Sequence, residues 1–169
     1  MVDSSVGDRI VILGRGGVDE DSAAALLADV TGRRVIKIDK HFWPVDHRVH
    51  PAPHWALVQD AIASNPQWIM DADLGPFDIA EPKLGYPDEV WVLDYSPITC
   101  LLRALRYPQE RRDLRVWLFR WRREYLNHAL ADIAKVAPEV TVRRFTSPGQ
   151  LAEALASVPR PDVVAEPAS

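Results

Sequence analysis

The sequence predicts an α/β protein built on a doubly wound sheet of about five parallel strands. Short apolar runs alternate with helix-like segments along the chain, several of these runs lead into acidic residues, and no segment is repeated. Strands that alternate with helices are typical of right-handed crossover connections and therefore of a mostly parallel sheet. A length of 169 residues with 47% hydrophobic and 26% charged residues is the balance of one ordinary globular domain.

The first predicted unit is a strand, a glycine-rich loop and a helix. Residues 9–13 form a nearly continuous apolar run, as in a buried parallel strand, and glycines occupy three of the next four positions. The acids at 19–21 then precede an alanine-rich helix that we expect to end at Gly32. Acidic residues before a helix favour its positively charged amino terminus, so these acids are expected to interact with the free amides there.

The later elements follow the same alternation. Asp39, Asp71 and Asp94 each follow a predicted strand directly, at the end of the sheet where α/β proteins bind ligands. The proline-containing residues 159–169 predict a loose tail. The further predicted elements are strands at 35–38, 67–70, 89–93 and 140–145, a helix at 55–64 and a last helix that begins at Ser147-Pro148.

Composition excludes several classes of function. The single cysteine, Cys100, excludes an intrachain disulfide and a metal site built from several thiolates. No apolar run approaches the roughly 18 residues of a membrane span, and residues 1–5 lack the features of a signal peptide. We therefore expect a cytoplasmic protein without a membrane partner. The net charge of −4 argues against nucleic acid as the main partner.

Positive charge is concentrated in one segment. Residues 103–124 contain eight arginines and three acids, a local charge of +5, so the rest of the chain carries −9. A predicted helix carries the arginines at 111–123 together with an apolar stripe that includes Trp117 and Trp121. Four interpretations stay open: a solvated face, partners for the acids at 19–21, a site for phosphate or nucleic acid, and a surface for a protein partner or a homodimer.

Five sequence blocks together resemble a known family. They are Ile12–Gly17, Ile38–Pro44, Pro51–Trp55, Trp68–Asp71 and Val92–Asp94, in this order. With them the chain resembles the adenylate-kinase-like P-loop proteins often labelled DNA topology-modulation proteins, over roughly residues 8–158. The resemblance implies a three-layer P-loop kinase fold with five parallel strands. We expect one such domain over 1–158, with a lid that is shorter than the family's, followed by a flexible tail at 159–169. The resemblance also implies phosphoryl transfer from ATP to a small acceptor.

The phosphate loop departs from the pattern that such an activity needs. A working P-loop reads G-x-x-x-x-G-K-[ST], in which amides surround the phosphates, the lysine neutralises them and the hydroxyl holds magnesium. Here Gly14 begins the loop, but Asp19, Glu20 and Asp21 stand at the positions of the second glycine, the lysine and the hydroxyl. We therefore expect standard ATP binding to be lost and no cofactor to be required.

Two other segments depart in the same direction. The family's Asp-Gly-Asn-Tyr after the third strand is Asp71-Ala72-Asp73-Leu74 here, and only residues 107–113 separate two predicted helices where a longer arginine-bearing lid is usual. Lids exclude water and bring arginines to the transferred phosphoryl group. The favoured prediction is a pseudokinase that binds an unidentified small molecule or protein, or regulates one. The alternatives are an active small-molecule or nucleotide kinase and an interaction protein that uses the arginine- and tryptophan-rich helix.

The candidate site combines the degenerate loop with acids at the strand ends. The predicted ligand-binding residues are Gly14, Gly16, Gly17, Arg111 and Arg115. If the chain is active, Asp39 is the acceptor-orienting group or general base, and Asp71 is a metal or acceptor ligand. ATP and magnesium would be the cofactors under that alternative.

Three further interpretations of the polar residues stay open. Asp19, Asp21, Asp39 and Asp71 could hold a hard metal or an amine, or the acids at 19–21 could be neutralised by the arginine-rich helix. Four histidines at 41–54 suggest zinc, although their spacing and the intervening prolines favour a surface loop. Gly14-x-Gly16 followed by Asp39 fits a dinucleotide-binding Rossmann fold, which would show strand order 3-2-1 instead of 2-3-1.

Overall fold

The structure, a computed structural model of the protein, describes residues 6–14, 22–37, 64–71, 87–105 and 126–159. Within these ranges the strands are β1 (Arg9–Leu13), β2 (Val35–Lys37), β3 (Trp68–Asp71), β4 (Glu89–Leu93) and β5 (Thr141–Phe145). The helices are α1 (Ala23–Thr31), α2 (Pro97–Leu105), α3 (Leu126–Val136) and α4 (Pro148–Ala156). No helix of this part of the chain is long and apolar enough to cross a membrane.

The five strands form one parallel sheet in the order β2-β3-β1-β4-β5. The predicted α/β class with a doubly wound parallel sheet is confirmed. β3, and not β2, lies beside β1, so the order begins 2-3-1. The Rossmann interpretation, which requires 3-2-1, is therefore wrong. This order also places β1 at the centre of the sheet, with β3 and β2 on one side and β4 and β5 on the other.

Most predicted strand bounds agree with the structure to within one residue. β1 and β4 have the predicted bounds, β5 begins one residue later, and β3 lies one residue further along the chain. Asp71 is therefore the last residue of β3, because it pairs with Ile12 of β1 and Lys37 of β2. The helix predicted at 55–64 lies outside the described residues except for Ser64, which is in a turn.

The central strands are buried on both faces. In β1, Ile10, Val11, Ile12 and Leu13 are at most 1% exposed, and the apolar side chains of β4 are similarly enclosed. Successive side chains of a strand point to opposite faces, so a strand without an exposed side chain is covered on both sides. This explains why these strands are continuous apolar runs in the sequence and do not alternate with polar residues.

Helices α1 and α4 contribute to the core on one face of the sheet. Leu27 of α1 and Leu151 of α4 join a buried cluster with Trp91 and Phe145. The rings of Trp91 and Phe145 lie 5.0 Å apart at an interplanar angle of 56°, a tilted arrangement that is favourable for aromatic pairs. Helix α1 ends as predicted, at Gly32, which adopts the left-handed conformation of a helix C-cap.

Charged pairs connect the amino ends of the strands. Nη2 of Arg9 in β1 lies 2.9 Å from Oδ1 of Asp88, which directly precedes β4, and Nη2 of Arg33 lies 3.2 Å from Oδ1 of Asp8. The hydrogen bond from Arg9 holds the pKa of Asp88 below its usual value, and Asp88 in turn raises the pKa of Arg9. These contacts stabilise the amino end of the sheet, whereas ligand binding is predicted at its carboxyl end.

Candidate functional site

The carboxyl end of β1 leads into the glycine-rich loop. Gly14 follows Leu13 with a φ of 97°, a left-handed conformation that residues with a Cβ rarely adopt. Because β3 and β4 flank β1 and the chain connections lead away in both directions, this end lies where open α/β sheets bind ligands. Gly14 therefore begins the segment that follows β1, and its role in ligand binding stays a prediction. Gly16, Gly17 and the acids at 19–21 lie outside the described residues.

Helix α1 begins with its own capping residue. Oγ of Ser22 accepts a hydrogen bond from the amide of Ala25 at 3.1 Å, and the Ser22 carbonyl accepts one from the amide of Leu26 at 3.0 Å. The first turn of the helix contains no acidic residue. A hydroxyl therefore satisfies one of the amides for which the acids at 19–21 were expected. Sequence reasoning gave Ser22 no role, although serine directly before an apolar helix is a capping signal.

Asp71 lies at the predicted edge of the sheet. It is the last residue of β3 and is half-buried, and its backbone pairs with Ile12 on one side and Lys37 on the other. Ile12 comes two residues before Gly14, so Asp71 stands beside the strand end that leads into the loop. Asp39, its predicted companion, lies outside the described residues, and their joint role in catalysis or metal binding stays a prediction.

Asp94 is the most buried of the described acids. It follows β4 and is 1% exposed, and its Oδ2 accepts hydrogen bonds from Nε of Arg144 at 3.0 Å and from Nη2 of the same residue. The Asp94 amide donates to the carbonyl of Phe145 at 2.8 Å. Burying a carboxylate is costly unless a cation and hydrogen bonds compensate it. Arg144 supplies that compensation from the neighbouring strand.

Two consecutive arginines of β5 bind acids at opposite ends of β4. Arg144 contacts Asp94 at the carboxyl end, while Arg143 forms an ion pair with Oε1 of Glu89 at the amino end, without hydrogen-bond geometry at that oxygen. Oε2 of Glu89, which is 3% exposed, accepts a hydrogen bond from the amide of Gly7 at 3.1 Å. Sequence reasoning overlooked both arginines. The available signal was two adjacent charged residues in a strand, since one must face each side of the sheet.

Several predicted site residues lie beyond the described ranges. Arg111 and Arg115, expected to bind the ligand, are among them, as are the histidines at 41–54. The described residues contain no group of three or more histidine, cysteine, aspartate or glutamate side chains that could hold a metal ion. Most members of the predicted cation site, Asp19, Asp21 and Asp39, lie outside the described residues, and only Asp71 lies within them. The metal, zinc and internal-neutralisation interpretations stay predictions.

Comparison with known proteins gives structural neighbours but no sequence family. No protein-family model matches the chain, and no curated protein matches it. Shikimate kinase from Bacteroides thetaiotaomicron superposes with a TM-score of 0.54 at 14% identity, over 89% of this chain and 96% of that one. A sugar kinase from Janibacter sp. gives a TM-score of 0.50 at 18% identity, over 88% and 96%. The chain has the P-loop kinase fold.

That fold accounts for the position of the candidate site. In P-loop folds the first strand leads through the phosphate loop into the amino terminus of a helix. Gly14 after β1 and Ser22 before α1 mark the two ends of the corresponding segment here. Identities of 14% and 18% show a shared fold alone. The predicted P-loop kinase-like fold class is confirmed, whereas membership of the topology-modulation group stays a prediction.

Proposed function

We propose that the chain is a P-loop-fold protein that has lost standard ATP binding and acts as a small-molecule-binding or regulatory module. The observation that carries the proposal is the junction before α1. Ser22 caps the helix, and Asp19, Glu20 and Asp21 directly precede it, at the positions of the second glycine, the lysine and the hydroxyl. A working loop uses that lysine to neutralise phosphates and that hydroxyl to hold magnesium. This chain has carboxylates at both positions.

The change of charge opposes ordinary nucleotide binding. A unit charge about 4 Å from a phosphate contributes roughly 4 kcal/mol at an effective dielectric constant near 20. Replacing a lysine by Glu20 therefore exchanges attraction for repulsion of that order. A loss of about 4 kcal/mol weakens binding roughly a thousandfold, which turns a micromolar affinity for ATP into a millimolar one.

The helix terminus supports the same proposal. A helix amino terminus binds phosphate through amides that have no partner within the helix. In α1 the amide of Ala25 donates to Oγ of Ser22, so a phosphate that used this amide would have to displace the hydroxyl. A serine cap contributes about 1 kcal/mol to helix stability. The helix therefore satisfies part of its own terminus without a bound anion.

Isothermal titration calorimetry with ATP and magnesium tests the loss of nucleotide binding. We expect no binding tighter than about millimolar, and a micromolar dissociation constant would overturn the proposal. The triple variant Asp19→Gly, Glu20→Lys, Asp21→Ser should gain affinity for ATP. The matched control, Asp19→Asn, Glu20→Gln, Asp21→Asn, removes the same negative charges without supplying a lysine, and it should gain less.

The ligand class can be found by thermal-shift measurements. A ligand that binds only the folded chain stabilises it by RT ln(1 + [L]/Kd). Nucleotides, divalent metals and polyamines represent anions, hard cations and amines, and stabilisation by one class identifies the chemistry of the site. Metals or polyamines as the stabilising class would assign the acids at 19–21 to a cation site. Sedimentation of the purified chain tests the homodimer alternative in the same samples.

An active small-molecule kinase is the second candidate, and the fold comparison favours it, because both structural neighbours are kinases. ATP and magnesium would then be cofactors, with Asp39 orienting or deprotonating the acceptor and Asp71 holding the metal or the acceptor. Asp71 stands at the carboxyl edge beside β1, as that role requires. Transfer of labelled phosphate from ATP to sugars or hydroxy acids would establish this candidate. The interaction-protein alternative rests on the helix at 111–123, outside the described residues.

A further inference from the structure

Arg144 has one side fixed by the protein and one side exposed to solvent. Its Nε and Nη2 both donate to Oδ2 of Asp94, which is almost completely buried, while the Arg144 side chain is 49% exposed. A guanidinium has five N–H groups. Within the described part of the chain, Arg144 uses them only toward Asp94. It therefore presents further N–H donors to solvent in a defined orientation.

The burial of Asp94 explains why that orientation persists. A buried carboxylate that lost its cation would be strongly destabilising, so Asp94 holds the guanidinium at the end of β4. The Asp94 amide also donates to the carbonyl of Phe145, which joins the ends of β4 and β5. A guanidinium that is already oriented loses less side-chain entropy when it binds a planar oxyanion than a freely moving arginine does.

Arg144 stands on the ligand-binding side of the sheet. The strand register places Arg144 beside Val92, and Val92 beside Leu13, the residue before Gly14. Two strand spacings, about 10 Å, therefore separate the backbone of Arg144 from the strand that leads into the glycine-rich loop. Small ligands of open α/β sheets bind at this edge. A molecule bound there has the guanidinium within reach.

We infer that Arg144, oriented by Asp94, binds the oxyanion group of a small-molecule ligand, a phosphate or a carboxylate, at the carboxyl ends of β4 and β5. The inference rests on the proposed function, because it names the ligand class of the same module. It also reconciles an anionic ligand with an acidic loop, since the anion contacts an arginine two strands from β1. Arg143, the preceding residue, faces the other side of the sheet and forms an ion pair with Glu89.

Nuclear magnetic resonance of the arginine Nε–Hε groups tests this site in the intact chain. The probes are inorganic phosphate and acetate, each titrated against sodium chloride at matched ionic strength. We expect the Arg144 signal to shift saturably with at least one of the two anions. The anion that causes the shift distinguishes a phosphoryl ligand from a carboxylate ligand. The Arg34 signal is the internal reference. Arg34 is an exposed arginine at the amino end of β2, the outer strand on the side of the sheet away from β5.

Variants then assign the binding to the Arg144 side chain. Arg144→Gln should weaken the affinity for the effective anion about tenfold or more, followed at the backbone amides of Asp94 and Phe145. Arg34→Gln makes the same change in net charge and should leave the affinity unchanged. Arg144→Lys keeps a cation beside the buried Asp94, so it should remain folded, and it should bind more weakly than the wild type because it lacks the planar fork.

The two proposals fail in different measurements. An Arg144 signal that responds to phosphate and acetate no more than to chloride, or an equal affinity in Arg144→Lys and the wild type, would overturn the oxyanion site. Neither result depends on whether ATP binds at the loop. Tight ATP binding in calorimetry would overturn the loss of nucleotide binding, and a saturable shift of Arg144 by phosphate or acetate would still stand.

Discussion

Glu89 and Arg143 form an ion pair at the amino end of the sheet, although the Glu89 side chain is only 4% exposed. The pair joins the first residue of β4 to the centre of β5. Oε2 of the same carboxylate accepts the hydrogen bond from the amide of Gly7, just before β1. One buried side chain therefore connects β4 to β5 and to the residues just before β1. Its removal should affect stability more than a surface ion pair would.

Arg143→Gln should lower the free energy of unfolding by about 3 kcal/mol, because it leaves a buried carboxylate without its cation. Urea denaturation followed by circular dichroism measures the loss. The double variant Arg143→Gln, Glu89→Gln should recover part of the stability, since the charge that lacked a partner is gone. A single variant that matched Arg34→Gln, an exposed control expected to change stability by less than about 0.5 kcal/mol, would contradict this account.

Gly7→Ala should destabilise the protein by about 1 to 3 kcal/mol, because the strand ends approach closely at this position. An added Cβ would lie 2.9 Å from Cβ of Asp88 and 3.4 Å from Cβ of Glu89. Gly149→Ala in α4 is the matched control. Its Cβ would meet only Oγ of Ser147, at 3.8 Å, and alanine favours a helix over glycine. Thermal melting should therefore move in opposite directions for the two variants, and equal shifts would argue against close approach as the cause.

The pair of Arg9 and Asp88 predicts a pH dependence at the acidic end. The hydrogen bond from Arg9 lowers the pKa of Asp88 in the folded chain, so its stabilisation is present above the unfolded value and is lost as pH falls through the lower folded value. Because both side chains are about one-third exposed, the effect should be below about 1 kcal/mol and should weaken with salt. Melting temperatures of the wild type and Asp88→Asn should begin to converge as pH falls below about 4, and should meet below the lowered pKa of Asp88 in the folded chain. A constant difference down to acidic pH would contradict this pairing.

Val158 should mark the carboxyl boundary of the cooperative fold. Its side chain is 7% exposed and belongs to the cluster that includes Leu151 and Phe145, whereas Pro159 is exposed. Val158→Ala should cost about 2 kcal/mol of stability. Removal of residues 160–169 should change the free energy of unfolding in urea by less than about 0.5 kcal/mol. A large loss on truncation would show that the proposed tail belongs to the domain.

Asp39→Asn tests whether any phosphoryl transfer depends on the residue carried over from the kinase resemblance. If turnover is detected, this variant should abolish it while the melting temperature changes little, because the substitution removes a proton acceptor and keeps the side-chain shape. Asp94→Asn is not a suitable control, since Asp94 is buried with Arg144. An active enzyme that is indifferent to Asp39→Asn would remove the assigned role.

The fold could be predicted from the sequence because its signals are local. The apolar run of β1 is buried on both faces, and Gly32 stops α1 through a conformation that glycine favours. The predicted third strand, 67–70, lies one residue too early, because an aspartate is typical of the loop after a strand, whereas Asp71 pairs with both neighbouring strands. The partner of Asp94 could not be read from the sequence, since Arg144 lies 50 residues away and only the register of β5 brings them together.

The adjacent arginines of β5 also determine how this strand can align. Side chains alternate along a strand, so a slip of one residue relative to β4 would exchange the faces on which Arg143 and Arg144 project. A slip in one direction would put Arg143 beside Val92, in the place of Arg144, and leave Glu89 without its cation. A slip in the other direction would put Arg144 beside Trp91, in the place of Arg143, and leave Asp94 without its cation. β5 closes one side of the described sheet, where misalignment and unwanted strand addition are common hazards. The two ion pairs therefore favour the observed register, because either neighbouring alignment leaves one buried acid without its cation.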